Sequence, residues 1–223
     1  MVFSEPARRL LELAREEADG VGHRYLGPEH IVLAVLRDAA SGAARVLRAH
    51  GVELAAARAA LRGLAERGVV PGPRPSDAEL LGTLGIDLDA VRHTTEQTFG
   101  VQALGKATRE ATRAGRGGVG RVPRTPMESP PVLATQTLSL AGEQAKALGY
   151  RTVGPELLLL GVVMDIQTPW PRCMSNRWMR QLHASVGLPD GYQGAAGQLL
   201  GALGVDPDEL RAALLAELRA VVP

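Results

Sequence analysis

The chain contains an internal repeat, and this repeat limits the possible folds more than any other feature of the sequence. The segment GHRYLGPEH at 22–30 recurs as GYRTVGPEL at 149–157, and both follow the pattern G-x-R-x-φ-G-P-E, in which φ is apolar. Self-similarity of this kind marks a repeated structural unit. We therefore expect two pseudo-equivalent halves.

Each repeated segment follows a stretch with the apolar spacing of one buried helical stripe. Ser4 is placed to cap the first helix, and Pro6 is tolerated in its first turn. Gly20 or Gly22 supplies the left-handed backbone that ends this helix, and a second helix is predicted to begin at Gly27–Pro28. The apolar positions are Ala7, Leu10, Leu11, Ala14, Ala18 and Val21 in the first half, and Ala134, Thr137, Leu138, Ala141, Ala145 and Leu148 in the second.

A second element occurs in three versions, which begin at Leu47, Leu80 and Leu199. They read LRAHGVELAAAR, LLGTLGIDLDAVR and LLGALGVDPDELR, and the last two match closely. Each version predicts the end of one helix, a glycine turn and the start of another helix capped by an acidic residue. The turn glycines are Gly51, Gly85 and Gly204, and the clearest cap is Asp206 of the DPDE segment.

Composition favours an all-helical, soluble chain. Of 223 residues, 45% are hydrophobic but only 3% are aromatic, which is less aromatic surface than β-sandwiches and barrels use. The net charge of +1 gives no whole-chain attraction to nucleic acid or to an anionic membrane. Cys173 is the single cysteine, so an intrachain disulfide is excluded and a reducing compartment is favoured. With no apolar stretch typical of a signal peptide at the N-terminus, we expect a cytoplasmic protein.

The two halves are separated by segments rich in proline, glycine and arginine. The predicted organisation is a first repeat at 1–66, a Pro/Gly loop at 67–78, a helical inter-repeat segment at 79–112, a flexible basic linker at 113–131, and a second repeat at 132–223 with an insertion at 165–192.

The repeated residues resemble the double-repeat Clp N-terminal domain, also called the Clp R domain, of ClpC- and ClpA-type AAA+ unfoldases. The resemblance rests on FSEPARRLLELAREEADGVGHRYLGPEHIVLAVL at 3–36 and AARVLRAHGVEL at 43–54, and it is weaker over 132–164 and 194–222. It implies two stacked four-helix repeats that form a recognition domain without enzyme activity. The inter-repeat segment is similar to that of stand-alone actinobacterial members, which lack the ATPase modules. The scarcity of lysine fits a GC-rich genome.

The resemblance also implies binding residues. In ClpC-type members a glutamate in the second-helix turn and a hydroxyl at the start of each repeat bind phosphorylated arginine. Here these positions are Glu29 with Ser4 in the first repeat, and Glu156 in the second, where Pro131 replaces the hydroxyl residue. An outward Glu29 carboxylate beside Ser4 would accept a guanidinium in a bidentate pair. The alternative is that Glu29 only stabilises the first turn of its helix.

The insertion holds both tryptophans of the chain, Trp170 and Trp178. These side chains either fill a gap in the bundle or anchor a peptide or protein partner. We keep both as candidate binding residues.

Motifs for catalysis, cofactors and metals are incomplete. GVQALGKA at 100–107 lacks the hydroxyl residue that a P-loop places after its lysine. No histidine has metal-site partner spacing, and His30 is predicted to be buried or bonded to a turn. Cys173 has no neighbouring residue that indicates a catalytic dyad. We therefore predict no enzyme activity, no cofactor and no metal.

The leading interpretation is a non-catalytic protein- or peptide-binding domain that binds adaptors, degrons or substrates of the Clp protease system. It would act as an accessory or a competitor of the unfoldase N-domain. One alternative is a decoy that sequesters cyclic peptide antibiotics aimed at that domain. Another is a nucleic-acid-associated regulator that uses the arginines of the linker at 113–131, although that segment lacks the aromatic residues that stack on bases.

Overall fold

The structure is a computed structural model that describes residues 2–23, 25–70, 82–99, 132–168, 192 and 194–221. The chain divides into two compact units. One contains the described segments at 2–70 and 132–221, and the other contains 82–99.

The described residues form helices, and no strand occurs among them apart from a single isolated bridge, which confirms the all-helical prediction. Among the described residues, each repeat contributes four helices to the larger unit. The first repeat forms α1 Glu5–Gly20, α2 Pro28–Arg37, α3 Gly42–Ala49 and α4 Leu54–Glu66; α5 Leu88–Phe99 lies in the smaller unit; the second repeat forms α6 Val132–Ala147, α7 Pro155–Gln167, α8 Ala196–Ala202 and α9 Pro207–Val221.

Local chemistry explains the start of α1 and of α2. The Ser4 hydroxyl oxygen accepts a hydrogen bond from the Ala7 amide at 3.3 Å, which confirms the predicted cap. Gly22 then takes a left-handed backbone conformation with φ of 75°, which L-residues adopt at a cost. Helix α2 begins at Pro28 after the extended Gly27, as the repeat predicted.

The glycine turn is present in all three predicted versions, but the predicted acidic cap is wrong for the first version, in which Glu53 makes no side-chain cap bond. Gly51, Gly85 and Gly204 have φ values of 75°, 78° and 72°. The Asp206 carboxylate accepts from the Glu209 amide at 3.1 Å, and the Asp87 carboxylate accepts from the Ala90 amide at 3.0 Å. The acidic residue after the glycine therefore caps the following helix in the second and third versions.

The versions differ in burial. Val205 and Leu210 of the third version lie in the core, whereas the matching Ile86 and Val91 of the smaller unit are exposed. Thr95 occupies the position that Leu214 fills in the core of the larger unit. The middle version keeps the glycine turn, but its apolar residues Ile86 and Val91 do not lie in a core.

The two repeats of the larger unit interlock. Helices α2 and α7 pack against each other at the centre, α3 packs against α9, and α8 packs against α4. The third helix of each repeat thus contacts the fourth helix of the other, so the repeats cross instead of only stacking. The α7 residues 157–160 and 162–163 are buried on all sides, as expected of a central helix.

The N-terminal segment also crosses between the repeats. Phe3 and Val153 form a parallel bridge. The Ser4 amide donates to the Val153 carbonyl at 3.0 Å, and the Val153 amide donates to the Val2 carbonyl at 2.9 Å. The start of the first repeat is thereby attached to the turn before α7.

The close packing of α6 on α7 depends on Gly161. A methyl group at this position would lie 2.5 Å from the Thr137 carbonyl oxygen and 2.8 Å from the Ala141 methyl. Neither contact can be relieved by rotating a side chain, so a larger residue must separate the helices.

We predict that Gly161→Ala lowers the free energy of unfolding by about 1–3 kcal/mol, because the added methyl overpacks the core. Gly201→Ala is the matched control, since no heavy atom lies within 4 Å of its added methyl. That substitution should be neutral or stabilising by up to about 1 kcal/mol. Urea unfolding followed by circular dichroism measures both, and equal effects would contradict the packing argument.

Candidate functional site

Glu29 lies in the first turn of α2, and its carboxylate is fully buried. One oxygen accepts a hydrogen bond from the Ala195 amide at 3.0 Å, and the other accepts from the Tyr192 hydroxyl at 3.4 Å. The Tyr25 hydroxyl lies 2.9 Å from that of Tyr192. The expectation of an outward Glu29 carboxylate is therefore wrong. The start of α8 has no side-chain cap of its own. The Ala195 amide there bonds to the Glu29 carboxylate instead, which therefore points into the protein. A ligand role for Glu29 stays a prediction.

Glu156 makes the reciprocal contact. It lies in the first turn of α7 and accepts a hydrogen bond from the Ala43 amide of α3 at 3.4 Å. The repeated glutamate of each half therefore reaches the beginning of the third helix of the other half. Glu156 is only half-buried, unlike Glu29, so it is the more accessible of the two carboxylates.

Ser4 adjoins the second repeat. Its hydroxyl oxygen caps α1, and its amide bonds to Val153, three residues before Glu156 in the chain. The predicted pairing of Ser4 with Glu29 does not appear among its described hydrogen bonds. If Ser4 contributes to a binding site, its neighbour there is the Val153–Glu156 turn.

A cluster of aromatic and histidine side chains lies under the start of α2. The Gly27 amide donates to His30 Nδ1 at 2.9 Å, so His30 carries its proton on Nε2, which lies 2.9 Å from His23 Nδ1. The rings of His23 and Tyr25 stack with centroids 5.0 Å apart. Burial lowers the pKa of His30 to about 3, so this ring is neutral and its 3.9 Å approach to Glu29 is not an ion pair. The predicted buried, turn-bonded histidine is confirmed.

The same cluster has the residue types of a metal site but not its geometry. One ligand atom each of His23, Glu29 and His30 lies within 4.8 Å of the others. A tetrahedral zinc ion with Zn–N bonds of about 2.0–2.1 Å holds its ligand nitrogens about 3.3 Å apart, more than the 2.9 Å between the two rings. The second ring nitrogen of His30 is also taken by a backbone amide. The arrangement favours a hydrogen-bonded network over a metal centre.

A cavity of about 400 Å³ lies where the start of α2, the end of α7 and the start of α8 meet. The described residues that line it are Pro28, Asp165, Ile166, Gly194, Ala196, Gly197 and Gln198. Gly194 allows its backbone to approach Pro28 closely, because a methyl group at Gly194 would lie 2.8 Å from the Pro28 ring. The cavity borders the backbone segment that Glu29 holds in place.

Asp165 is the charged residue among those that line the described part of the cavity. It is buried, and its carboxylate accepts from the Thr137 hydroxyl at 2.5 Å and from the Gln136 amide nitrogen at 2.7 Å. Burial raises the pKa of Asp165, while the two hydrogen bonds oppose that shift. These bonds also hold the last turn of α7, which continues to Gln167 and so extends into the predicted insertion.

Other predicted features lie outside the described residues. They are Trp170, Trp178 and Cys173 of the insertion, the basic linker at 113–131, and the GVQALGKA segment at 100–107. Sequence reasoning missed Asp165 and the Ala195 amide. The available signal was the repeat itself, because two identical G-P-E turns indicate two equivalent contacts.

None of the described helices has the length and apolarity needed to cross a membrane.

Comparison with known proteins gives the family of the first repeat. Residues 2–77 match the family model of the Clp repeat (R) N-terminal domain. Residues 2–77 therefore carry a Clp repeat N-terminal domain, as the sequence indicated.

Several curated proteins are similar to a larger part of the chain. Chaperone protein ClpC1, chloroplastic, of Oryza sativa subsp. japonica is 29% identical over 66% of this chain. The Solanum lycopersicum chloroplastic ClpA homolog CD4B, an ATP-dependent Clp protease ATP-binding subunit, is 29% identical over 68%. Chaperone protein ClpB of Oceanobacillus iheyensis is 23% identical over 88%. The chain spans 16%, 16% and 19% of the length of these three relatives.

The fold has a solved counterpart. The N-terminal domain of the Caseinolytic protease associated chaperone ClpD from Arabidopsis thaliana matches with a TM-score of 0.51 at 14% identity. The match covers 97% of this chain and 94% of that domain. The fold is that of the Clp N-terminal domain.

We predict that Glu29→Ala costs about 3 kcal/mol of unfolding free energy, because it leaves the buried Ala195 amide and Tyr192 hydroxyl without their acceptor. Glu156→Ala is the matched variant and should cost less than about 1 kcal/mol, since Glu156 is half-buried and its contact is longer. Chemical unfolding of both variants tests this difference. Similar losses would show that the two contacts are energetically equivalent.

We also predict that His30 makes stability fall in acid. Its pKa is about 3 in the folded chain and about 6.5 when unfolded, so the unfolded chain binds more protons between these values. Stability should therefore fall as the pH is lowered from about 6.5 to about 3, with a slope from this residue of up to about 1.4 kcal/mol per pH unit. His30→Asn, which can still accept from Gly27, should show a shallower dependence in denaturant unfolding over this range. Unchanged slopes would overturn the assignment.

Proposed function

We propose that this chain, which carries a Clp repeat N-terminal domain, is a non-catalytic protein- or peptide-binding domain of the Clp protease system. It binds adaptors, degrons or substrates and acts as an accessory or a competitor of the unfoldase N-domain. The observation that supports this most directly is the cavity between α2, α7 and α8, which lies where the interlocked repeats meet.

The cavity has the properties of a recognition site. Its volume of about 400 Å³ lies within the range of small-ligand sites and can accept one large side chain of a peptide. Helices α2 and α7 belong to the buried core, so two of its walls are rigid. Asp165 and Gln198 provide polar groups in an otherwise small and apolar lining.

The described polar groups support the proposed binding role. The His30 ring is neutral and takes part in two hydrogen bonds inside the protein. Asp165 already accepts two hydrogen bonds. A general base must be within reach of a substrate proton, and the fully buried His30 offers no such access.

The predicted binding residues take different roles in this proposal. Glu29 is a positioning residue, because it holds the Ala195 amide and so the cavity wall. Ser4 and the half-buried Glu156 contact the partner on the opposite side, where phosphoarginine is the ligand that the resemblance implies. Trp170 and Trp178 remain proposed peptide anchors, and the cyclic-peptide decoy depends on them.

A degradation assay tests the proposed function. A ClpC-type unfoldase, its protease and an adaptor-delivered substrate are mixed with increasing amounts of the purified chain. We expect degradation to slow, and an excess of adaptor to restore it, because the chain competes for the adaptor.

Two variants of the same helix make the test specific to the cavity. Gly197→Leu should abolish the competition, because its side chain enters the cavity next to Ile166, which lies 3.3 Å from an added methyl. Gly201→Leu, with open space around its added methyl, should compete as well as the wild type. Circular dichroism confirms that both variants fold. Absence of competition by the wild type, or equal competition by Gly197→Leu, would contradict the proposal.

A further inference from the structure

The pseudo-symmetry of the larger unit provides an internal reference for the cavity. Ser41 and Gly194 precede the turn glycines Gly51 and Gly204 by the same spacing, and so do Arg45 and Gln198. Asp38 and Asp165 likewise follow Pro28 and Pro155 by the same spacing. Residues that line the cavity next to α8 therefore have equivalent positions, called the counterpart here, at the start of α3.

At the counterpart in α3, the chain supplies its own cation to an acidic group. Arg45 forms an ion pair with Glu217 of α9. The Glu217 and Glu156 carboxylates both crowd the Cα of Gly42, where a methyl group would lie 2.6 Å and 2.9 Å from their oxygens. An internal guanidinium thus accompanies the acidic groups at this end of the molecule.

The α8 segment that lines the cavity differs from the equivalent α3 segment at both of these positions. Gln198 replaces the arginine, and Gly194 replaces Ser41, whose hydroxyl oxygen caps α3 by accepting from the Ala44 amide at 3.2 Å. Among the described residues that line the cavity, none is basic. Asp165 therefore lies in an open, acidic cavity whose described lining offers no cation.

The hydrogen-bond network around Asp165 is also short of donors. Gln136 donates to Asp165 through its nitrogen, but its own carbonyl oxygen is buried and has no hydrogen-bond partner among the described residues. Buried acceptors in proteins are nearly always paired. Asp165 lies in the last turn of α7 and is the charged residue of the described lining. A positively charged group with N–H donors complements the Asp165 carboxylate that lines the cavity.

From this geometry, and resting on the proposed function, we propose that the cavity lined by Asp165 and Gln198 binds a basic side chain of the partner peptide, a guanidinium or an ammonium. The bound cation supplies the positive charge that the described lining of the cavity lacks. A carboxylate whose pKa burial raises gains most from such a partner, since the cation stabilises its charged form.

Titration calorimetry with short glycine-flanked peptides tests the inference. The peptides carry one arginine, one lysine or one citrulline, the last being a neutral analogue of arginine. We expect heat from the arginine and lysine peptides that weakens with added salt, and at least about tenfold weaker binding of the citrulline peptide. Equal binding of the arginine and citrulline peptides would overturn the inference.

Two variants identify the residues. Asp165→Asn should weaken binding of the arginine peptide at least about tenfold, because the charge is lost while the shape is kept. Gln198→Arg should abolish it by supplying the internal cation of the counterpart, and the exposed position of Gln198 allows the variant to fold. Wild-type affinity in Gln198→Arg would contradict the inference even if Asp165→Asn failed to fold.

The same variants separate this inference from the proposed function. If both keep full competition in the degradation assay while Gly197→Leu loses it, the cavity binds the partner but not through a cation, and the inference alone fails. If Gly197→Leu also competes fully, the proposed function fails at this cavity.

Discussion

The hydrogen bond between the Glu29 carboxylate and the Ala195 amide is the contact on which the arrangement of the second half depends. Helix α8 has seven residues and no side-chain cap, so it is too short to be stable in isolation. Glu29 supplies the missing acceptor from the other repeat. Because Gly194, Ala196, Gly197 and Gln198 belong to this anchored segment, the cavity wall exists only while the repeats are joined.

The reciprocal contact of Glu156 shows how two copies of one motif have diverged in burial. Both glutamates reach the start of a third helix in the opposite repeat, but Glu29 is sealed and Glu156 is half-exposed. At the exposed end the acidic groups are balanced by Arg45, whereas the cavity at the other end has no internal cation in its described lining. A few substitutions have thus turned one symmetric position into two different surfaces.

Much of the architecture was predictable because it depends on local rules. Helix starts at Ser4, Pro28 and Asp206 and turns at Gly51 and Gly204 follow from capping and backbone preferences that a short segment carries by itself.

The direction of a side chain was not predictable, since it depends on groups distant in the chain. Glu29 turns inward because of an amide that lies 166 residues away in sequence. The exposure of Val91 was also not predictable, because its segment closely matches one in which the equivalent Leu210 is buried. The Clp R resemblance supplied the fold, but the cavity beside Asp165 required the packing of α2, α7 and α8.

The crossing of the repeats carries a consequence for their origin. Helix α3 packs on α9 and α8 packs on α4, so each half completes its core with an element of the other. An ancestral chain with one repeat could have satisfied these contacts only by pairing with a second molecule around a two-fold axis. The present chain therefore has the internal arrangement of a two-fold symmetric homodimer joined into one polypeptide. Because both repeats lie in one chain, the two ends of that axis can differ in sequence. In an oligomer of identical subunits the two ends must be the same.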